Sequence, residues 1–427
     1  MNILFKNIRV INPTENLDKV VNLYIKDGII EHCSNEECVV DSSTEIIDGS
    51  ELVAAPGFID IHTHLREPGF EYKETIKSGT DAAANGGFTA VVCMPNTEPT
   101  IDDVTVVEYM KNKSKDLLVD VYIAGSISQN REGKLISPML ELDDAGVVMF
   151  TDDGKCVESS EMLRRAFDYA TTRDLLISEH CEDHSLTKNF AMDECELSIK
   201  LGLKGYPKIA EEIIVARDIL LAEYCGNRRL HLQHISTKGS VELIRNAKKK
   251  GLRVSCEVTP HHLILSNDLL DSYNTNLKMN PPLRSKDDIN ALLDGIKDGT
   301  IDCIATDHAP HALHEKEVEF EKAPCGITGL ETAIGLILNI LHHSFNIELN
   351  KIVELMSINP RKLFKLKQIE IKNNEKANLT IFAPNEEWIV NSSKFMSISK
   401  NMPYENMKLK GRPKFAINNG KIWSSTL

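Results

Sequence analysis

Val53-Ala-Ala-Pro-Gly-Phe-Ile-Asp-Ile-His-Thr-His64 divides the chain into two kinds of pattern. Upstream of it lie short β-prone stretches at residues 3–10, 21–25, 28–31 and 44–47. From Phe58 onward, short apolar runs punctuated by Gly or Pro alternate with longer stretches of 3.6-residue period. Runs of the first kind mark strands, and stretches of the second kind mark amphipathic helices. Eight apolar runs can be counted, at 58–64, 89–94, 119–126, 146–151, 175–180, 230–236, 253–259 and 301–306. Helix-like stretches lie between them, including 158–172, 210–225, 240–250 and 287–297, and another at 330–343 follows the eighth run.

Alternating β and α units between residues 58 and 343 meet the requirement of a closed (β/α)8 barrel. A doubly wound open sheet is the rival, but no Gly-x-Gly-x-x-Gly follows any run, which disfavours its dinucleotide-binding form. Strand-like patterning resumes at 377–382 and 417–423. The expected architecture is α/β: a TIM-like (β/α)8 barrel over residues 55–365, with a small discontinuous β domain formed by residues 1–54 and 366–427. The charge run at 315–322 reads as a mobile, solvated loop.

Composition narrows the function. With 427 residues, 42% hydrophobic and 26% charged, the chain can bury a large core. A formal charge of −14 argues against a nucleic-acid partner, and it obliges any anionic substrate to find local cations. The 10 cysteines form no Cys-x-x-Cys pair, as expected of reduced thiols in a cytoplasmic protein. Cys33 and Cys38 lack the neighbours that would complete a metal clip. The opening residues have neither the basic head nor the apolar run of a signal peptide. No stretch approaches the ~20 apolar residues of a membrane span.

The polar residues that close the runs carry the chemistry. His62 and His64, at i and i+2, project from one face at the C-terminal end of the first barrel strand, the end where barrel active sites sit. The fourth run ends Thr151-Asp-Asp-Gly154 and the fifth Glu179-His-Cys-Glu-Asp183. The sixth carries His231-Leu-Gln-His234, and the eighth Thr306-Asp-His-Ala-Pro-His311. If the barrel closes, His62, His64, Asp153, His180, His234 and Asp307 converge on one mouth. Without a cation, carboxylates and imidazoles packed together would repel or protonate one another. Imidazole and carboxylate donors with no thiolate suit Zn2+ best, with Mn2+, Co2+ and Fe2+ as alternatives. Six donors exceed one tetrahedral zinc, so either a carboxylate bridges two metals or some of the groups hold substrate. Cys181 should point away from the site on strand parity, as should His308, and His261-His262 reads as supporting or packing residues.

Taken in order, Pro56-Gly-Phe-Ile-Asp-Ile-His-Thr-His-Leu-Arg-Glu-Pro68, Met94-Pro-Asn-Thr97, Phe150-Thr-Asp-Asp-Gly154, His180-Cys-Glu-Asp183, His234-Ile-Ser236, Asn280-Pro-Pro282 and Ala305-Thr-Asp-His-Ala-Pro310 resemble the class I dihydroorotases of the amidohydrolase superfamily. The resemblance implies zinc ligands at His62, His64, Asp153, His180, His234 and Asp307, with two zinc ions per subunit. It makes Asp307 the catalytic base, and it implies substrate contacts from His64, Arg66, Asn96, Asn280, His311 and the backbone at Cys325-Gly326. Hydantoinases and allantoinases bridge their metals with a carboxylated lysine on strand four. Here that strand has none, Lys155 is expected to face solvent, and Asp153 fills the place with Asp152 as the alternative.

The implied reaction is the reversible, zinc-dependent cyclisation of N-carbamoyl-L-aspartate to L-dihydroorotate in pyrimidine biosynthesis. Metal coordination lowers the pKa of water from 15.7 to about 7, which supplies hydroxide as nucleophile, and Asp307 would move the proton. Arg66 offers a planar fork for a substrate carboxylate. The long segment 306–329 is expected to act as a lid. The alternatives are an allantoinase or hydantoinase, or a non-catalytic partner of aspartate transcarbamoylase. A homodimer is the expectation for a soluble enzyme.

Overall fold

The eight apolar runs become eight parallel strands in the computed structural model, which describes residues 2–427. In chain order, barrel strands 1 to 8 are Phe58–Thr63, Phe88–Cys93, Asp120–Gly125, Val147–Phe150, Ile177–Glu179, Leu230–Leu232, Val254–Val258 and Cys303–Ile304. Each pairs with the next in sequence. Most of their residues are buried on both faces, as parallel strands covered by helices require. The helix Ser160–Ala170 shows how the outer layer is made. Ser159 caps its first turn, and Met162, Leu163, Ala166, Phe167 and Ala170 form one buried stripe. Side-chain caps also start Ile76–Asn85, Lys238–Lys249 and Lys286–Asp298, at Thr75, Thr237 and Ser285.

The ring closes without a regular ladder between strands 8 and 1. A single bridge joins Thr63 to His308, and His64 N–H donates to His308 O at 2.9 Å. The buried Asp60 carboxylate completes the seam, accepting from the Thr306 N–H at 3.0 Å and from the Thr306 hydroxyl.

A second sheet gathers the two termini. Its path runs Lys421–Ser424, Lys408–Asn418, Leu379–Ile389, Val53–Pro56, Asn2–Asn12, Leu17–Lys26 and Ile29–Ser34, and Glu45–Asp48 pairs alongside Asn2–Asn12. Ile3, Phe5, Ile8, Leu23, Leu379 and Ile381 belong to its own core. Val53–Pro56 hands the chain from this sheet to the barrel, with only Gly57 between it and strand 1.

Two expectations need correction. Residues 417–423 are not one strand: Asn419 and Gly420, both at positive φ (51° and 68°), form a two-residue hairpin loop closed by the Asn418–Lys421 pair. Asn-Gly is the sequence signal for this turn. The charge run at 315–322 is not wholly solvated. Lys316 and Phe320 are buried, and Lys316 Nζ donates to Thr275 O and Pro324 O. Strands 6 and 8 are also shorter than their apolar runs. His234 and Asp307, just beyond them, adopt positive φ (28° and 49°), which ends the ladder and turns the chain into the mouth.

Candidate active site and metal centre

The mouth of the barrel gathers side chains from sequence positions 62 to 307. Asp153, after strand 4, lies at the centre: its Oδ1 is 3.4 Å from His62 Nε2, 3.7 Å from His234 Nε2 and 3.8 Å from His180 Nδ1. Its Oδ2 is 3.6 Å from His64 Nε2. Asp307 Oδ1 stands 2.9 Å from His64 Nε2 and 3.6 Å from His62 Nε2. All six residues expected to converge do so. Asp152 turns away and accepts from the Ser128 N–H at 2.9 Å, so Asp153 is the aspartate that faces the site. Cys181 is buried outside the cluster, His308 faces Glu74, and Lys155 is exposed.

Hydrogen bonds behind the imidazoles fix which nitrogen faces inward. His62 Nδ1 lies 2.6 Å from Glu257 Oε1, His64 Nδ1 lies 2.9 Å from Asn96 Oδ1, and His180 Nε2 lies 3.0 Å from Glu182 Oε2. Each outer nitrogen meets an acceptor and must donate, which leaves the inner nitrogen of a neutral ring with a lone pair. His62 Nε2 is then fully buried with no hydrogen-bond partner among the described residues. His64 Nε2 faces the Asp307 carboxylate lone pair to lone pair, and His180 Nδ1 sits 2.8 Å from His234 Nε2. Between His64 Nε2 and the Asp307 carboxylate, two acceptors at 2.9 Å call for a positive charge, either a proton on the ring or a bound cation. The donor set is nitrogen and oxygen only, and it fits a divalent cation of the zinc type. Two groups have ligand atoms close enough to share one ion, His62–Asp153–His234 and His62–His64–Asp307.

Among the chain's own groups, the carboxylates call for that positive charge from the imidazoles themselves. Burial pushes the Asp153 carboxyl up, but the His62 and His234 imidazoles outweigh it and hold the group well below the usual carboxylate range. Asp307 is lowered in the same way by His64 and His62. Burial lowers the His62 imidazole, yet Asp153 and Glu257 raise it well above its ordinary value.

The expected substrate contacts line a cavity of about 210 Å³ over this cluster. Arg66 at φ 63° donates from Nε to Pro310 O at 3.1 Å and makes no bond to Glu67 or Glu71. Asn96 is committed to His64 through Oδ1. Asn280 Nδ2 donates to Glu182 Oε2 at 2.8 Å, and its Oδ1 is buried and unpartnered. Burial, reinforced by nearby cations, pulls His311 down to about 2, so the ring is neutral and its Nε2–H donates to Cys325 O at 2.8 Å. Any donation from His311 to a substrate must share or exchange that bond. Cys325 and Gly326 complete the wall, and the Gly326 φ of 116° suits glycine alone.

Three buried carboxylates escaped the sequence reading. Glu257 and Glu182 stand behind His62 and His180, and Asp60 holds the seam. Glu182 had a signal, the i,i+2 spacing from His180. Asp60 and Glu257 had only the oddity of one acid within an apolar strand.

An α/β barrel with two histidines at the end of strand 1 and carboxylates after strands 4 and 8 is the arrangement of a cyclic amide hydrolase, the class to which the relatives below belong. Solved structures agree on the fold. The L-hydantoinase (dihydropyrimidinase) from Arthrobacter aurescens superposes with a TM-score of 0.86 at 24% identity, covering 99% of this chain and 96% of that one. A dihydropyrimidinase from Brevibacillus agri superposes at 0.85 with 20% identity, covering 100% and 95%. Residues 51–240 match the family model described as dihydro-orotase-like. Proteins named dihydroorotase in Syntrophus aciditrophicus and Acetivibrio thermocellus are each 44% identical to it, covering 99% and 98% of both chains respectively. The chain belongs to the dihydroorotase family.

Proposed function

We propose that this chain is a dihydroorotase that interconverts N-carbamoyl-L-aspartate and L-dihydroorotate, with the barrel (55–365) carrying the chemistry and the terminal segments (1–54 and 366–427) forming the β domain. One observation carries the reading: the aspartates after strands 4 and 8 share four inward-facing imidazoles around a buried nitrogen that lacks a partner. The strand-4 aspartate, where hydantoinases and allantoinases carry a carboxylated lysine, supports dihydroorotase over those relatives. The full ligand set counts against a non-catalytic role.

His62, His64, Asp153, His180, His234 and Asp307 would hold the metal, which we take to be two zinc ions. Bound there, zinc supplies Lewis acidity toward the amide carbonyl and acidifies water. The chain's own groups do the rest. Asp307 Oδ1 takes the proton as water adds to the ring carbonyl, and delivers it to the departing ring nitrogen as the C–N bond breaks. In the biosynthetic direction it accepts the ureido proton while that nitrogen closes onto the side-chain carboxyl and water leaves. Arg66 pairs with the carboxylate common to both compounds, a local cation in a chain of charge −14. Asn280 Oδ1, buried and free, accepts from a ring or ureido N–H.

The test is a side-by-side assay of dihydroorotate, hydantoin, dihydrouracil and allantoin, paired with elemental analysis of the purified protein. Dihydroorotate turnover with zinc bound is expected, and faster turnover of any of the others would overturn the assignment. Arg66→Ala should raise KM for dihydroorotate by about 10–100-fold, the loss of a charge-assisted hydrogen bond of about 1.5–3 kcal/mol.

A further inference from the structure

Beneath the mouth, the barrel interior holds a carboxylate that the reaction just described leaves unused. Glu257 stands between Cys256 and Val258 on strand 7 and is 1% exposed. Inward positions of a barrel are ordinarily filled by branched apolar side chains, so a charge at this depth demands partners. It has three. Oε1 accepts from His62 Nδ1 at 2.6 Å and from the His234 backbone N–H at 3.3 Å. Oε2 meets His231 Nε2 at 3.1 Å, and His231 Nδ1 meets Ser255 Oγ at 2.9 Å. A continuous row, Ser255–His231–Glu257–His62, therefore links the interior to the unpartnered His62 Nε2.

We propose that Glu257 is a positioning residue of the metal centre, holding the His62 ring and the His234 turn in ligating geometry while His231 seats the carboxylate. The inference rests on the metal-site reading and is independent of which cyclic amide is the substrate. A carboxylate can only accept, so His62 carries its proton on Nδ1 and presents the Nε2 lone pair to the site. A carboxylate behind a ligating imidazole also raises its basicity. The same oxygen holds the amide of His234, whose φ of 28° is strained for a residue with a side chain and persists only where surrounding bonds enforce it. One atom thus sets ligands from strands 1 and 6 together. Glu182 serves His180 in a similar way, but it also bonds Asn280 at the cavity wall and belongs to the site already described.

The experiment is cobalt(II) binding to the full-length protein, wild type beside Glu257→Gln and His231→Gln. It reads affinity by chelator competition, the visible spectrum of the loaded protein, and kcat and KM separately. A glutamine at 257 keeps the volume but removes the charge. It is expected to weaken cobalt binding by about 10–100-fold, to shift the visible bands, and to lower kcat with little change in KM. His231→Gln touches neither metal nor substrate and should move affinity the same way, by a smaller factor. Wild-type affinity and spectrum in folded Glu257→Gln would overturn the proposal. If that variant does not fold, wild-type affinity and spectrum in His231→Gln overturn it equally. A wild-type protein that binds no cobalt would instead bring down the metal-site reading, and this inference with it.

Discussion

Two of the buried clusters of acids in the barrel half of this chain solve the same problem differently. In one, Arg284, 1% exposed, donates to Asp193 Oδ1 at 2.7 Å and to Tyr206 O at 3.0 Å, and lies 3.8 Å from Glu211 Oε2. Ser236 and Thr237 N–H groups and Asn267 satisfy the remaining carboxylate oxygens. In the other, Asp153 and Asp307 face four imidazoles with no lysine or arginine bonded to either carboxylate, and one ring nitrogen has no partner. Burying a charge is costly unless it is paired. Where the chain supplies the cation, the carboxylates are satisfied from within and the cluster is structural, although Arg284 Nη2 is left without a hydrogen-bond partner among the described residues. Where it withholds one, the cluster fits the metal ion proposed above.

That contrast can be broken in several ways. The largest expected effect is at the mouth: Asp307→Asn should cut turnover in both directions by about 10²–10⁴-fold, read by steady-state kinetics. Near-normal rates would remove Asp307 from the proton path. Next, Arg284→Met leaves Asp193 and Glu211 buried without their cation. It should cost about 3–5 kcal/mol in denaturant unfolding, and added zinc should not restore it. Rescue by zinc would mean that the two clusters are not distinct in kind. Stripping the metal from wild-type protein should lower stability by about 3 kcal/mol relative to protein in hundredfold excess over Kd. A calorimetric midpoint that ignores the chelator would contradict the metal-site reading.

The last test, whose effect per pH unit is smallest, concerns His262, which feels charges from both clusters. Burial is the main force that brings His262 down to about 4; the His234 and Arg284 charges add to it, while the Pro281 carbonyl and Glu211 pull the other way. Its folded pKa lies below its unfolded value near 6.5, so the unfolded chain binds the extra proton first. Its contribution to stability is therefore whole above pH 6.5 and is lost as pH falls toward 4, by about 1.4 kcal/mol per pH unit. His262→Gln should flatten the stability–pH slope in that window by about one proton, and an unchanged slope would show that His262 is not the group titrating.

The two clusters also differ in how far the sequence reveals them. The mouth was legible because its residues sit where apolar runs stop, and the i,i+2 step at His62 and His64 fixes a shared face. Eight runs were enough to infer the barrel, and the barrel then brought distant ends together. Arg284, Asp193 and Glu211 carry no such marker. Asp193 lies in the two-residue strand Met192–Asp193, Glu211 in a helix and Arg284 in a loop, and only the folded chain puts them in contact. Glu257 fails for a related reason: a single acid in an apolar strand announces burial, but not which residue it meets across the barrel. The Asn419-Gly420 hairpin is different, since its dipeptide was readable and the apolar flanks at 417 and 422–423 masked it.

The seam beside Asp60 has one more consequence. Strands 1 and 8 are fastened by a side chain and a lone bridge at the level where His62, His64 and Asp307 emerge. Loosening that fastener would widen the gap between the strand-1 histidines and Asp307 before it disturbed anything else. Breathing of the wall and spacing of the reactive groups are thus one degree of freedom, and sequence drift at Thr306 or Asp60 would detune catalysis well before it opened the fold.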